Sequence, residues 1–324
     1  MDQKPLSSNK DIELSVIIPY SSAQKYDSPK EIYGAYKEML DSIGLNYEVI
    51  VIIDGEQDDF KTEIKKVYEL KEAGGDIKII KLARWFGEGT ALSIAFEHSC
   101  GEKILTLPPY KQVEINEIPG LIDALQDNDM VTGKRWPRLD SLLNRVQSKI
   151  FHYLACFRGD FKFHDMGCNV RCFKRRILEK VHIYGEQHRF FPLLVHRYGY
   201  KVLEFNITQS EKDTFQKLYP FGTYLRRCMD LISVFFLVKF TKKPLRFFGI
   251  AGGVTFFLGA VLSIYLFVER IFLHVPLRNR PLLLLDLLLF VLGIQLFAIG
   301  LIGEIIIFTH ARELKDYTIE KIIN

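Results

Sequence analysis

The chain has 324 residues, enough for one large domain or two ordinary ones, and a formal net charge of +4 at pH 7. That mild charge, with no aromatic-basic motif, argues against a nucleic-acid partner. The five cysteines (Cys100, Cys156, Cys168, Cys172, Cys228) fit neither a disulfide framework nor a zinc knuckle, so reduced structural thiols are expected.

Met1 to Lys10 is polar and lacks the apolar core of a signal peptide. Leu14 to Pro19 reads as a first strand stopped by proline, and Lys30 to Ile43 carries apolar residues at helical spacing up to Gly44. Tyr47 to Ile53 is the nearly continuous apolar run of a strand buried on both faces. Thr62 to Glu72 predicts a helix, Asp76 to Leu82 a strand, and Gly89 to Ser99 a second apolar-faced helix. The strand from Lys103 then ends at Pro108-Pro109, where the ladder loses its donors. Ile115 to Leu125 is helical and Met130 to Thr132 a short strand. This β-α alternation predicts a doubly wound sheet covered by helices, with ligands beyond the carboxyl ends of its strands. Further on, the pattern gives helices over 142–157, 176–181 and 188–198 and strands over 169–173 and 201–207.

Residues 247–308 change character, being nearly uncharged and rich in Leu, Ile, Phe and Gly. Phe247 to Val268 and Leu287 to Gly303 are each long enough to cross a bilayer. Before them, Phe221 to Phe240 is amphipathic and aromatic, as an interfacial helix is. Basic residues gather there (Arg226, Arg227, Lys239, Lys242, Lys243, Arg246), against Arg270, Arg278 and Arg280 between the spans. The positive-inside rule then puts the soluble domain and both termini in the cytoplasm. The expected organisation is a soluble domain over 1–212, a juxtamembrane segment over 213–246, two spans over 247–308 and a tail over 309–324.

Several polar residues stand where chemistry is expected. Asp54 follows a buried strand, where a carboxylate can accept hydrogen bonds from a ribose or base, although an Asp-Gly pair also makes a plain turn. Arg84 precedes a helix start, a place for phosphate or for a solvated arginine. Arg135 and Arg138 have the spacing for a bidentate clamp on phosphate or carboxylate. Asp165 is positioned to orient a hydroxyl, and His188 is a candidate acid or base or a partly buried structural histidine.

Longer segments carry a resemblance. GKRWPRLDSLLNRVQSKIFHYL, DMGCNVRCFKRRILEKVHIYGEQHRFFPLL with GYKVLEF, and PLRFFGIAGG leading to LIGE are similar to blocks of the family-2 glycosyltransferases that load polyprenyl phosphates, the dolichol-phosphate mannose synthase and bacterial hexose transferase group. The likeness runs from about Leu14 to the end of the second span. It implies an α/β fold of the GT-A type with two C-terminal transmembrane helices, a nucleotide-diphospho-sugar donor, a polyprenyl phosphate acceptor and inverting hexosyl transfer at a bacterial inner membrane. It also implies roles: Pro19, Asp54, Arg84, Tyr110, Lys111 and Gln112 around the donor, Arg135, Arg138, Lys212 and Lys217 around the lipid phosphate, and Asp165 with the two arginines in catalysis. Assembly of copies through the membrane helices is a further expectation.

The departures are equally specific. Pro108-Pro-Tyr110 falls on the family's metal-binding Asp-x-Asp, and neither proline nor tyrosine suits Mg²⁺ or Mn²⁺, so no metal site is assigned. Lys212 stands for an arginine and Lys217 for a serine, adding positive charge where the metal's is missing. Two functions follow: a transferase with little or no metal dependence, or an inactive homologue that binds nucleotide sugar or lipid beside another glycosylation protein.

Overall fold

The computed structural model of the chain describes residues 12–20, 28–55, 61–138, 163–181, 188, 190–213, 229, 244–272, 274 and 281–310. The chain forms two compact units, Met1–Leu231 with Tyr317–Asn324, and Ile232–Asp316.

In the first unit the apolar runs become the middle of a sheet. Strand β1 (Leu14–Tyr20) is buried along its whole length, as are the last five residues of β2 (Tyr47–Ile53). Between them α1 (Pro29–Ile43) lays Ile32, Tyr36, Met39 and Leu40 into the core and stops at Gly44 in a left-handed conformation. After α2 (Lys61–Glu72), the edge strand β3 (Lys78–Lys81) presents an exposed lysine at each end, a charge that discourages pairing with another chain. Helix α3 (Glu88–Glu97) leads to β4 (Lys103–Thr106), α4 (Ile118–Asp123) to β5 (Met130–Arg135), then β6 (Arg171–Lys174), α5 (Phe191–Arg197) and β7 (Val202–Ile207).

The sheet order is β3-β2-β1-β4-β6-β5-β7. Strands β1 to β4 are parallel, β6 runs antiparallel between β4 and β5, and β7 is parallel to β5. The expected doubly wound arrangement thus holds for the first four strands, while β6 makes the sheet mixed. Strand order reverses between β1 and β4, so the crevice beyond their carboxyl ends is the topological switch point.

Local differences from the sequence reading have plain causes. Strand β1 continues through Pro19 to Tyr20, because Ile17 O already takes its bond from Leu107 N. Pro19, two residues on, aims its nitrogen the same way, past the end of β4, where no ladder donor is needed. Pro119 splits the expected helix over 115–125 into a 3₁₀ turn, Ile115–Glu117, followed by α4. The expected helix over 176–181 is a 3₁₀ turn at Arg175–Ile177, and that over 188–198 is regular only from Phe191. The helices expected over 142–157 and 221–240 lie outside the described residues, apart from Met229.

The second unit contains α6 (Pro244–Phe272) and α7 (Pro281–His310), packed as a hairpin. Glycine allows the close approach: a Cβ on Gly252 would stand 2.7 Å from Gly293 O. At one end Leu245 N donates to Glu304 Oε2, and near the other Ser263 Oγ donates to Asp286 Oδ2. Both helices leave large apolar side chains exposed along their length, and both pass as candidate membrane spans. They are longer than the predicted apolar cores because the flanking charged residues remain helical.

Candidate active site

At the end of β4 the Pro108-Pro109-Tyr110 turn is built inward. Tyr36 from α1 donates its hydroxyl to Pro108 O at 2.9 Å, and Tyr110 is buried. Gln112 Nε2 donates to the Tyr110 hydroxyl at 3.2 Å, while its Oε1 accepts from Asn169 N at 2.8 Å. Tyr110 and Gln112, expected at the donor, therefore brace the turn against the chain that enters β6. Only Lys111 of this trio reaches solvent, and its ammonium pairs with Glu114 at 2.8 Å.

Beside it, Asp54 follows β2 with no exposed surface. Its Oδ1 accepts from Phe86 N at 2.7 Å and its Oδ2 from Gly87 N at 2.8 Å. Gly55 has φ 76°, and a Cβ there would lie 2.5 Å from Trp85 N, so the two loops press together. In this arrangement Asp54 shapes the loop ahead of α3. Arg84, which that loop carries, is exposed and lies over the Phe86 ring at 5.0 Å.

The arginine block resolves into a buried ionic network. Arg135, the last residue of β5, sends Nε to Asp165 Oδ2 at 2.7 Å and one Nη to Asp165 Oδ1 at 2.9 Å. The other Nη donates to Asp213 Oδ2 at 3.1 Å, which also accepts from Gln209 Nε2 at 2.7 Å. Arg135 is 4% exposed and Asp165 2%. Burial pushes the Asp165 carboxyl up, but the charge and hydrogen bonds of Arg135 outweigh it and bring it down to about 2. Burial works against the charged Arg135 too, and Asp165 reverses that, holding its guanidinium well above the usual arginine value. Glu204 on β7 fixes the Asp165 loop by accepting from His164 N at 2.6 Å and Asp165 N at 3.0 Å.

Of the expected Arg135–Arg138 phosphate clamp, Arg135 is engaged here by two carboxylates away from solvent. Asp165 is likewise sequestered. Arg138 remains half-buried and close enough for its charge to act on Asp165. Lys212 is exposed, and Lys217 lies outside the described residues.

At the switch point itself is a cavity of ≈ 20 Å³. Pro19 and Leu107 form the strand-end part of its lining, Leu92, Phe96, Phe173 and Phe191 the apolar part, and Glu88, Asn169, Arg171 and His188 the polar part. Arg171 is buried and holds three carbonyls together: Cys168 O at 3.0 Å, His188 O at 2.5 Å and Met166 O at 3.1 Å. Its burial lowers its pKa from the usual arginine value.

For a divalent cation the fit is poor. Among the described residues no three His, Cys, Asp or Glu side chains converge. The strand-end positions offer Pro108, Pro109 and a buried tyrosine, the Asp54 oxygens hold amides, and Glu114 is paired with Lys111. These do not make the oxygen cage a hard dication takes.

Residues 15–182 match glycosyl transferase family 2. The chain belongs to that family. Residues 243–307 match the GtrB C-terminal hairpin, covering α6 and most of α7. A dodecaprenyl-phosphate galacturonate synthase of Rhizobium johnstonii is 26% identical over 307 residues, spanning 93% of this chain and 90% of its own. An undecaprenyl-phosphate 4-deoxy-4-formamido-L-arabinose transferase of Enterobacter is 27% identical over 316 residues, 96% of this chain and 94% of its own. Among solved structures, glucosyl-3-phosphoglycerate synthase of Mycobacterium tuberculosis, in complex with Mn²⁺, UDP and phosphoglyceric acid, superposes with a TM-score of 0.50 at 14% identity. That match covers 71% of this chain and 79% of the other, and shows a shared fold.

In this family-2 transferase, sequence reasoning missed Asp213 and Arg171. Nothing local marks Asp213, which meets Arg135 across 78 residues. Arg171 did leave a signal, a charge flanked by the apolar Val170 and Cys172.

Proposed function

We propose that this chain is a membrane-anchored glycosyltransferase that moves a sugar from a nucleotide-diphospho-sugar to a polyprenyl phosphate. The observation that carries this is the pairing of a family-2 domain and a GtrB-type hairpin in one chain, matched nearly end to end by two prenyl-phosphate sugar transferases. The hairpin anchors the enzyme in a bacterial inner membrane. Its soluble domain and termini face the cytoplasm, as the basic residues from Arg226 to Arg246 support.

The chemistry asks little of a base, since a phosphate monoester is already anionic near neutral pH. The acceptor oxygen attacks the anomeric carbon, the bond to the nucleotide diphosphate breaks, and inversion follows from that single displacement. The demand falls on the charge of the departing diphosphate, where each well-placed donor is worth about 10²–10³ in rate. Among the described residues we assign that role to Arg84, Lys111, Arg138 and Lys212, and from the sequence alone to Lys217. Arg135 acts through Asp165 and Asp213, holding the end of β5, the 163–170 loop and the segment after β7 in one arrangement.

The test is transfer by the purified full-length protein, with UDP- and GDP-sugars offered in turn to undecaprenyl phosphate, with and without EDTA. Transfer that survives EDTA supports the metal-independent enzyme. Donor binding with no turnover under any condition supports the inactive homologue instead.

A further inference from the structure

Among the described residues of the first unit, the large apolar side chains left exposed are Trp85, Phe86, Trp136, Leu203 and Met229. The first three are aromatic, 54%, 44% and 64% exposed, and Trp85 and Trp136 are the only two tryptophans of the chain. Tryptophan is as a rule largely buried, so a pair of exposed ones calls for a surface to meet. Trp85 and Phe86 follow β3, and Trp136 follows β5. Strand β3 runs parallel to β2, β1 and β4, and β5 takes the same direction because β6 is antiparallel to both β4 and β5. All three aromatics therefore stand at the carboxyl edge of the sheet.

Their backbones are fastened while their side chains face outward. Asp54 holds the Phe86 and Gly87 amides, and Trp136 N donates to Ile207 O at 2.9 Å. Ile207 ends β7, which is parallel to β5, so the chain leaves the sheet by this same edge before reaching the candidate spans that begin at Pro244. A lysine precedes each aromatic loop, Lys81 at the end of β3 and Lys134 near the end of β5. Strands β2, β1, β4 and β6 lie between β3 and β5, a separation of roughly 24 Å at about 4.8 Å per strand. One nucleobase or sugar does not bridge that width. The headgroup region of an anionic bilayer does, and it accepts tryptophan rings and cations together. We propose that the carboxyl edge of the sheet docks on the lipid surface, with Trp85, Phe86 and Trp136 entering the headgroup region and Lys81 and Lys134 facing anionic lipids. The inference rests on the membrane-anchored part of the proposed function and adds to it a second, peripheral lipid contact made by the soluble domain.

The experiment is tryptophan fluorescence of the full-length protein in nanodiscs of phosphatidylcholine and phosphatidylglycerol. The spans carry no tryptophan, so the emission comes from this edge alone. The quenchers are phosphatidylcholine brominated near the top of its acyl chains and, from the aqueous side, iodide; Trp85→Phe and Trp136→Phe leave one reporter each. In both variants the brominated lipid is expected to remove most of the emission and iodide little of it, and leaving out phosphatidylglycerol is expected to weaken the lipid quenching. Emission that ignores the brominated lipid in either variant overturns the proposal: with iodide quenching the edge faces water, and without it the edge is covered by protein. Iodide protection that appears only on adding UDP or GDP gives the aromatics to the nucleotide and also overturns it. Lipid quenching indifferent to phosphatidylglycerol overturns the part given to the lysines. Should a variant not fold, wild-type emission unchanged by brominated lipid overturns the proposal by itself. A chain that does not enter nanodiscs removes the membrane-anchored reading, and this inference with it.

Discussion

Two buried polar centres share the carboxyl edge of the sheet, and they are built in opposite ways. In the Arg135–Asp165–Asp213 centre, both acids are engaged by the guanidinium at 2.7 to 3.1 Å. In the His188 centre a carboxylate orients the ring, but one nitrogen stays unpaired. The first satisfies its charges internally and fixes the positions of three chain segments. The second leaves one buried ring nitrogen unpaired in a residue that lines a cavity. The difference is between a centre whose polar groups are all engaged and one that leaves a buried nitrogen unsatisfied.

The largest test removes the hub of the closed centre. Arg135→Ala leaves two buried carboxylates without their cation and is expected to cost about 3–5 kcal/mol in denaturant melts. A loss below about 1 kcal/mol would mean that the network is not formed in solution. Acid probes the same centre. The Asp165 carboxyl is held near 2 against an ordinary 3.8, so its stabilisation is complete above about pH 4 and is lost as pH falls through the folded value. The expected loss is about 2 kcal/mol between pH 4 and pH 2. Asp165→Asn should flatten that part of the stability profile.

Asp54→Asn turns one acceptor of the Phe86–Gly87 amides into a donor facing a donor. The expected cost is about 1–3 kcal/mol, read as a lower thermal midpoint and a raised KM for the donor. The open centre should respond least. His188→Phe removes the unpaired Nδ1 together with the Nε2 contact to Glu88, so a loss of about 1 kcal/mol is expected, below that of either acid-centre variant. A large destabilisation there would erase the contrast between the two centres.

The fold was legible because burial leaves a direct trace in sequence. Continuous apolar runs gave β1 and β2, Gly44 marked the end of α1, and the nearly uncharged stretch over 247–308 gave the hairpin. The strand that became β6 was legible over 169–173, but its antiparallel direction was not, since direction depends on partners far along the chain. The site was legible as a set of positions and much less as a set of roles. Asp54, Tyr110, Gln112, Arg135 and Asp165 are all buried and hydrogen-bonded within the fold, which their positions in the sequence did not announce. Burial of a charged residue depends on which opposite charge meets it, and Asp213 comes from the segment that follows β7. The proline pair was read as a missing metal site, and its geometry adds what stands in its place, a turn fastened by Tyr36 and Gln112.

The central claim is sugar transfer to a prenyl phosphate, and mass spectrometry of the lipid product tests it most directly. The full-length protein, given undecaprenyl phosphate and the sugar nucleotide it binds tightest, is predicted to yield a lipid heavier by one glycosyl residue, joined through a phosphodiester. Recovery of unmodified undecaprenyl phosphate, from protein shown to bind that donor, would contradict the account.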